Sequence, residues 1–376
     1  MEYRTLKDIA KITMGQSPDS SSYNKEKDGL PFFQGNADFG ELYPNERIWC
    51  NEPKKVAIPG DILISVRAPI GALNYAKEKS CIGRGLAAIT IKNVVERNYI
   101  FHLLRARNKY LNSKGTGSTF KAIGKNVLEE VLVPQISREE QQKCVNVIDL
   151  IESIIIERKS QIDKLDELVR ARFVEMFGDV IHNDKLWEKH TVESLCKEIY
   201  GGGTPSKSHP EYYENGDIPW VSSKDMKSDV VTDSQIKINR LGLDNSTAKM
   251  VPINSVIMVI RSGILKHTLP VAINAVPITV NQDLKVFIPG EHVLTRFLAV
   301  QFKMHEKDIL SGVRAVTADN IEFDSLKQRE LIVPPIELQH EYVFFLEQID
   351  KSKVEVQKAL DKAQLLFDSL MQKYFG

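Results

Sequence analysis

Two stretches of the chain carry apolar residues on a seven-residue period. Between Ser137 and about Met176, one heptad position is held by Ile148, Ile155, Ile162, Val169 and Met176 and the other by Cys144, Ile151 and Leu165, with Arg158 and Arg172 as interruptions. The second stretch repeats the pattern with Tyr342, Ile349, Val356, Ala363 and Leu370 on one position, Leu346, Leu360, Phe367 and Tyr374 on the other, and Lys353 as its polar break. Neither run contains Pro or Gly, so each predicts one long helix with a coiled-coil seam. A helix of about 40 residues spans roughly 60 Å. Its apolar stripe is too narrow to stand alone in water, so it needs a partner helix. The expected partner is the other copy in the same chain, packed antiparallel through Ile148, Ile151, Ile155, Ile162, Leu165 and Val169 against Leu346, Ile349, Val356, Leu360, Phe367 and Leu370. Pairing of each helix with a second molecule is the alternative. Ser137 with Glu140 makes a capping box at the first helix start, and Gly178 is placed as its C-cap.

Outside these stretches the pattern shortens to apolar strands at Ile62 to Val66, Ala87 to Ile91 and Val256 to Ile260, with helices near Tyr99 to Leu111 and Leu294 to Leu310. Both regions predict mixed α/β heads of the α+β class, and they are copies of one unit. Leu132-Val133-Pro134-Gln135-Ile136 recurs as Ile332-Val333-Pro334-Pro335-Ile336, and both long helices close on Phe-Gly, at Phe177-Gly178 and Phe375-Gly376. Upstream, Gly15-Gln16-Ser17-Pro18 answers to Gly202-Gly203-Thr204-Pro205, Leu30-Pro31-Phe32 to Ile218-Pro219-Trp220, and Gly83-Arg84-Gly85-Leu86 to Asn281-Gln282-Asp283-Leu284. The expected organisation is a head at 1–134, a helix at 135–178, a second head at 179–334 and a second helix at 335–376, related by a pseudo-twofold axis. Shared positions are mainly Gly, Pro and apolar residues, while the polar residues between them differ: one scaffold with two readouts. Two divergent ligand pockets on a duplicated domain fit that pattern too.

Composition narrows the class. With 42% hydrophobic and 27% charged residues in 376, the chain is globular, and its longest apolar runs fall far short of a membrane span. The start lacks the apolar core of a signal peptide, and Cys50, Cys81, Cys144 and Cys196 form no Cys-x-x-Cys pair, so a cytoplasmic chain without a metal is expected. Net charge is zero, but residues 1–133 hold 20 basic and 14 acidic groups whereas 185–333 hold 18 of each. The basic excess lies in the first head, and phosphate attraction acts over about a Debye length, so a local face matters more than the total. No Asn/Asp-Pro-Pro-aromatic motif is present, the segment Gly117 to Lys125 lacks P-loop spacing, and Asp217 with Asp225-Met226-Lys227 is a weak nuclease-like triplet. No catalytic residue and no cofactor is expected in this chain.

Two similar heads with long helices suit a ligand that is itself periodic, and duplex DNA repeats its groove faces about every 34–36 Å. The order of Gly-x-[Ser/Thr]-Pro, Ile-Pro-aromatic, Val-Pro-x-Ile and a heptad helix ending in Phe-Gly, given twice, resembles the specificity subunit of type I restriction-modification systems over essentially the whole chain. The resemblance implies that each head is a target-recognition domain reading one half of a split target in double-stranded DNA. It implies helices that act as spacers and dock two DNA-adenine methyltransferase subunits, with motor-nuclease restriction subunits joining them. S-adenosylmethionine, ATP and Mg are then implied only for those partners. A two-headed coiled-coil scaffold without sequence-specific DNA binding is the alternative.

Candidate contacts follow from side-chain chemistry. Gln34 and Asn36 carry amides able to pair with an adenine edge, although Gln-Gly-Asn-Ala-Asp is also good turn chemistry. Arg67 follows a buried-looking strand and Arg84 sits between glycines that let backbone approach a ligand; either can read guanine or serve a structural ion pair. Lys114, Ser118, Thr119 and Lys121 lie in a Gly-rich stretch suited to phosphates, or simply to a loop. In the second head the comparable residues are Lys207, His209, Ser222, Ser223, Lys224, Arg261, Lys266, His267, Gln282 and Arg314. Phe32 and Trp220 belong to the core rather than to base stacking.

Overall fold

The computed structural model describes residues 2–117, 121–312, 314–315 and 319–376. Contacts divide the chain into two compact units, residues 1–160 with 357–376 and residues 161–356. Each unit holds one head and about half of each long helix.

In the first unit the strands Lys11–Met14, Leu86–Thr90, Ile62–Ser65 and Leu73–Tyr75 form an antiparallel sheet in that order. Ile62, Ile64, Ala87 and Ile89 pack on one face with the helix Val94–Ala106, and Leu63, Leu86 and Ala88 pack on the other with Phe33 and Ile82. Burial on both faces is why these strands read as unbroken apolar runs rather than as alternation. A second sheet places Leu30–Phe33 parallel to Ser80–Ile82, pairing Phe32 with Cys81.

The second unit repeats the plan. Cys196–Gly201, Leu284–Pro289, Val256–Val259 and Val271–Asn274 are neighbours in the same order, and Ile218–Val221 runs parallel to Thr279–Val280. In both heads the first strand pairs antiparallel with the strand feeding the long helix, Tyr3–Thr5 with Leu132–Pro134 and Lys189–Thr191 with Glu330–Ile332. The helices expected near Tyr99 and Leu294 are each divided, at Arg107 and at His305. The break re-phases the short second segment so that Leu111 and Ile309 reach the core.

The long helices run Arg138–Phe177 and Ile336–Phe375. Ser137 N–H and Oγ donate to Glu140 Oε2 at 2.9 and 2.8 Å, and Glu140 N–H donates back to Ser137 Oγ, closing the capping box. Gly178 ends the helix at φ +76°, where a Cβ is disfavoured, and its N–H donates to Val174 O.

Within each unit the two helices pack with reversed chain order, that is, antiparallel. In the first unit Cys144, Ile148, Ile151 and Ile155 share a core cluster with Phe367, Met371 and Phe375, lined further by Leu360 and Leu370. In the second unit Val169 O accepts from the Tyr342 hydroxyl at 3.0 Å, while Leu346 and Ile349 are buried and Ile162, Leu165 and Val356 half-buried. Two of the polar breaks are paired across the seam, Lys353 with Asp166 at 2.5 Å and Arg172 with Glu341 at 2.9 Å. Such exposed pairs add roughly 0–1 kcal/mol each but favour one register.

The heptad does not account for Phe173, Phe177, Met371 and Phe375, all buried. At these ends the helix packs into a head as well as against its partner, so the apolar stripe widens. Phe177 lies 5.0 Å from the Phe297 ring and Phe375 5.1 Å from Tyr99, centroid to centroid. Among the described residues no helix is long and apolar enough to cross a membrane.

His305 sits buried at the helix break in the second unit, with neither ring nitrogen bonded to a described residue. Burial, reinforced by Arg329, lowers its pKa from 6.5 to about 4. The unfolded chain therefore binds a proton between those values that the folded unit refuses. Stability is full above pH 6.5 and falls as pH drops towards 4, by at most ~3 kcal/mol. Urea unfolding followed through Trp187 and Trp220 is expected to show this loss, and His305→Leu to remove that part of it; identical pH profiles for the two chains contradict the assignment.

Candidate nucleic-acid interface

In the first head, four loops converge at one end of the strands just described. Gln34, Asn36, Arg67 and Arg84 line a single concavity of about 390 Å³, together with Arg47 and Asp38. Asp38 organises its floor by accepting from Gln34 N–H at 2.7 Å and Gly35 N–H at 3.3 Å, and it pairs with Arg47. A carboxylate bound by converging N–H groups fixes the Gln34–Asn36 loop and uses up its own charge. Arg84 donates from Nε to Ser17 Oγ at 3.4 Å, and neither Arg67 nor Arg84 has an acidic partner among the described residues. The concavity is left with two exposed guanidinium groups and two amides.

The glycines beside Arg84 serve a close approach within the head. A Cβ at Gly85 would stand 2.4 Å from Gln34 O, and one at Gly83 3.0 Å from Gln34 Cα. They allow this turn to lie against the Gln34–Gly35 backbone, where Gly85 N–H donates to Gln34 O at 3.0 Å. The close approach is internal to the head.

The second head repeats three bonds of this frame, although Asp283 N–H turns to Asn281 Oδ1 where Gly85 N–H bonds Gln34 O. Ser222 N–H donates to Asp225 Oδ2 at 2.8 Å as Gln34 N–H does to Asp38, and Ile260 N–H donates to Asp283 O as Val66 N–H does to Gly85 O. Ile321 N–H bonds Ile260 O as Ile123 N–H bonds Val66 O. Arg261 therefore occupies the place of Arg67, Gln282 that of Arg84, and Ser222 that of Gln34. Asp225 also accepts from Ser222 Oγ and Gln235 N–H, so the acid of the nuclease-like triplet is engaged in holding a loop.

The remaining candidates divide between this face and elsewhere. Ala122 bridges both Arg67 and Thr116, and Lys121 O accepts from Ala68 N–H, which puts Lys121 and the base of the Gly-rich hairpin beside Arg67. Asn320 bridges Arg261 and pairs with Arg314 in the same way. Ser118 and Thr119 lie outside the described residues, as does the Arg314 side chain. Lys266 and His267 belong to a turn beginning at Gly263 that packs on this hairpin. Ser223 and Lys224 continue the Ser222 loop, Lys224 exposed. Lys114 is exposed with its ammonium 5.5 Å above the Tyr110 ring. His209 pairs with Glu211 at 2.8 Å and stacks on Tyr212, and Lys207 is exposed two residues before it; no described contact joins either to the Arg261 cluster. Phe32 and Trp220 are buried, and Trp220 Nε1 donates to Gly203 O. Sequence reasoning missed the loop-holding role of Asp38 and Asp225 and the pairing of Asp283 with Arg261; for the first two the local signal was an acid three or four residues after the loop start.

Residues 1–166 and 184–365, nearly all of both heads, match the type I restriction modification DNA specificity domain. The chain belongs to that family. It is 48% identical over 158 residues to the type I restriction enzyme MjaX specificity subunit of Methanocaldococcus jannaschii, covering 41% of this chain and 37% of that protein. It is 32% identical over 221 residues to the EcoR124I/EcoR124II specificity subunit of Escherichia coli, covering 58% of this chain and 53% of that one. The matches thus span between about a third and a half of these two relatives. A solved type I restriction-modification S subunit from M. genitalium shares the fold with a TM-score of 0.61 at 13% identity, covering 100% of this chain and 96% of that one.

If Asp38 holds the loop, Asp38→Ala frees the amides of Gln34 and Gly35. Their hydrogen exchange is expected to quicken by about tenfold, the equivalent of ~1.4 kcal/mol, with exchange in Ile62–Ser65 unchanged. Unaltered exchange at Gln34 would show that the loop is held by something else.

Proposed function

We propose that this chain is the non-catalytic specificity subunit of a type I restriction-modification enzyme and that it reads a bipartite sequence in double-stranded DNA, one half-site per head. The observation that carries the reading is the pair of matching loop frames. Equivalent backbone positions present Gln34, Arg67 and Arg84 in one head and Ser222, Arg261 and Gln282 in the other. A shared frame with different hydrogen-bonding groups suits two different short base blocks, since donor and acceptor patterns in the major groove identify base pairs. Lys114, Lys121, Lys207, Lys224 and Lys266, all exposed, suit the phosphate contacts that position such a reader.

Spacing between the two blocks is assigned to the long helices, each an unbroken element of 40 residues. The same helices are proposed to dock two DNA-adenine methyltransferase subunits, and restriction subunits with them. Exposed apolar residues at repeat-equivalent places, Ile156 with Val354 and Leu168 with Leu366, support a protein-binding role. S-adenosylmethionine, ATP and Mg are assigned to those partners, and the cytoplasm is the compartment in which the assembly meets DNA.

The test is recovery of the tagged chain from its own cells, combined with a map of methylated adenines with and without its gene. A co-purified methyltransferase and the loss of one bipartite methylation motif on deletion are expected. An unchanged map with no methyltransferase recovered overturns the reading in favour of a two-headed scaffold.

A further inference from the structure

The two heads differ at the residues around their equivalent arginines. In the second head Asp283 Oδ1 lies 2.6 Å from both Nε and an Nη nitrogen of Arg261. The other oxygen of that carboxylate accepts from Asn281 Nδ2 at 3.1 Å, and Asn281 Oδ1 accepts from Asp283 N–H at 3.1 Å. Asn281, Asp283 and Arg261 form one anchored chain of bonds ending in an arginine whose side chain is 44% exposed. In the first head both anchoring positions are glycine, Gly83 for Asn281 and Gly85 for Asp283, and Arg67 has no acidic partner among the described residues.

This difference separates a folding role from a recognition role. The backbone bond from Val66 N–H to Gly85 O matches that from Ile260 N–H to Asp283 O, so the frame closes with or without the ion pair. A half-exposed pair also adds little to stability, roughly 0–1 kcal/mol. What the pair does fix is orientation. A guanidinium has two planar donor forks, one from Nε with an Nη and one from both Nη nitrogens. Asp283 takes the first. The end fork remains, offering two parallel N–H donors, the arrangement that guanine O6 and N7 accept in the major groove.

From this geometry we infer that Arg261, held by Asp283 and Asn281, is a guanine reader and that the half-site read by the second head contains a guanine at one position contacted by it. The inference rests on the DNA-reading role proposed above. Asp283 is a positioning residue: it turns an arginine that would otherwise attract any phosphate into one committed to a base.

The test uses the full chain assembled with its methyltransferase partner. Binding is measured to the bipartite duplex, to duplexes changed one base pair at a time in each half-site, and to an unrelated duplex. For the unaltered chain, one guanine in the second half-site is expected to be strongly required. Arg261→Ala is expected to reduce discrimination at that position alone, by roughly 5- to 100-fold. Arg261→Lys keeps the charge but lacks the fork, and is expected to lose part of that discrimination while retaining affinity for the unrelated duplex. Asp283→Asn is expected to weaken the guanine preference while raising affinity for the unrelated duplex, opposite shifts that a merely structural residue does not produce. Equal weakening on every duplex by Arg261→Ala, or an unaltered guanine requirement in Arg261→Lys, overturns the assignment while leaving bipartite recognition standing. Absence of any sequence preference in the unaltered assembly overturns the recognition role itself, and this inference with it.

Discussion

A helix of 40 residues with apolar side chains on a narrow stripe is unstable in water unless that stripe is covered. Most of the architecture answers that requirement. In the first unit Cys144, Ile148, Ile151 and Ile155 are covered by Phe367, Met371 and Phe375 and by the head helix bearing Tyr99. In the second, Phe173 and Phe177 meet Tyr342 and Phe297. The head is part of each solution, because the stripe widens where the helix enters it. Burying a ring of this size is worth roughly 2–3 kcal/mol of transfer energy, far above what the seam ion pairs supply.

Once each head is fixed to its helices, its loops are free to diverge. Three bonds of the loop frame recur in both heads, and the shared work is done by main-chain groups, buried strands and one loop-holding acid, Asp38 or Asp225. Nothing in that frame specifies the side chains that project from it. Arg67 beside glycines and Arg261 beside Asp283 are two settings of one position. A duplicated scaffold of this kind can change what it reads at little cost to its stability.

The long helices were legible because a seven-residue period repeats five times, which chance rarely supplies, and because Ser137, Glu140 and Gly178 mark boundaries by local chemistry. The duplication was legible from ordered Gly, Pro and apolar positions. Three things were not. The breaks at Arg107 and His305 leave no Pro or Gly in the sequence, since they follow from how the short segment packs. Phe173 and Met371 fall off the heptad because they contact a head as well as a helix. The roles of Asp38 and Asp283 depend on groups that only the fold brings together, in the second case residues 22 apart in sequence. Clustering of Gln34 and Asn36 with Arg67 and Arg84 could be guessed as chemistry but not as geometry, for they lie on three separate loops.

If each head is a self-contained reader on a common frame, the most direct measurement is exchange of the two heads within the chain, helices unaltered, followed by mapping of the methylated sequence. The expected result is the same two base blocks in reversed order with the spacer length kept. An unchanged motif, or one whose spacer alters while the blocks stay in place, would contradict the assignment of sequence to the heads and spacing to the helices.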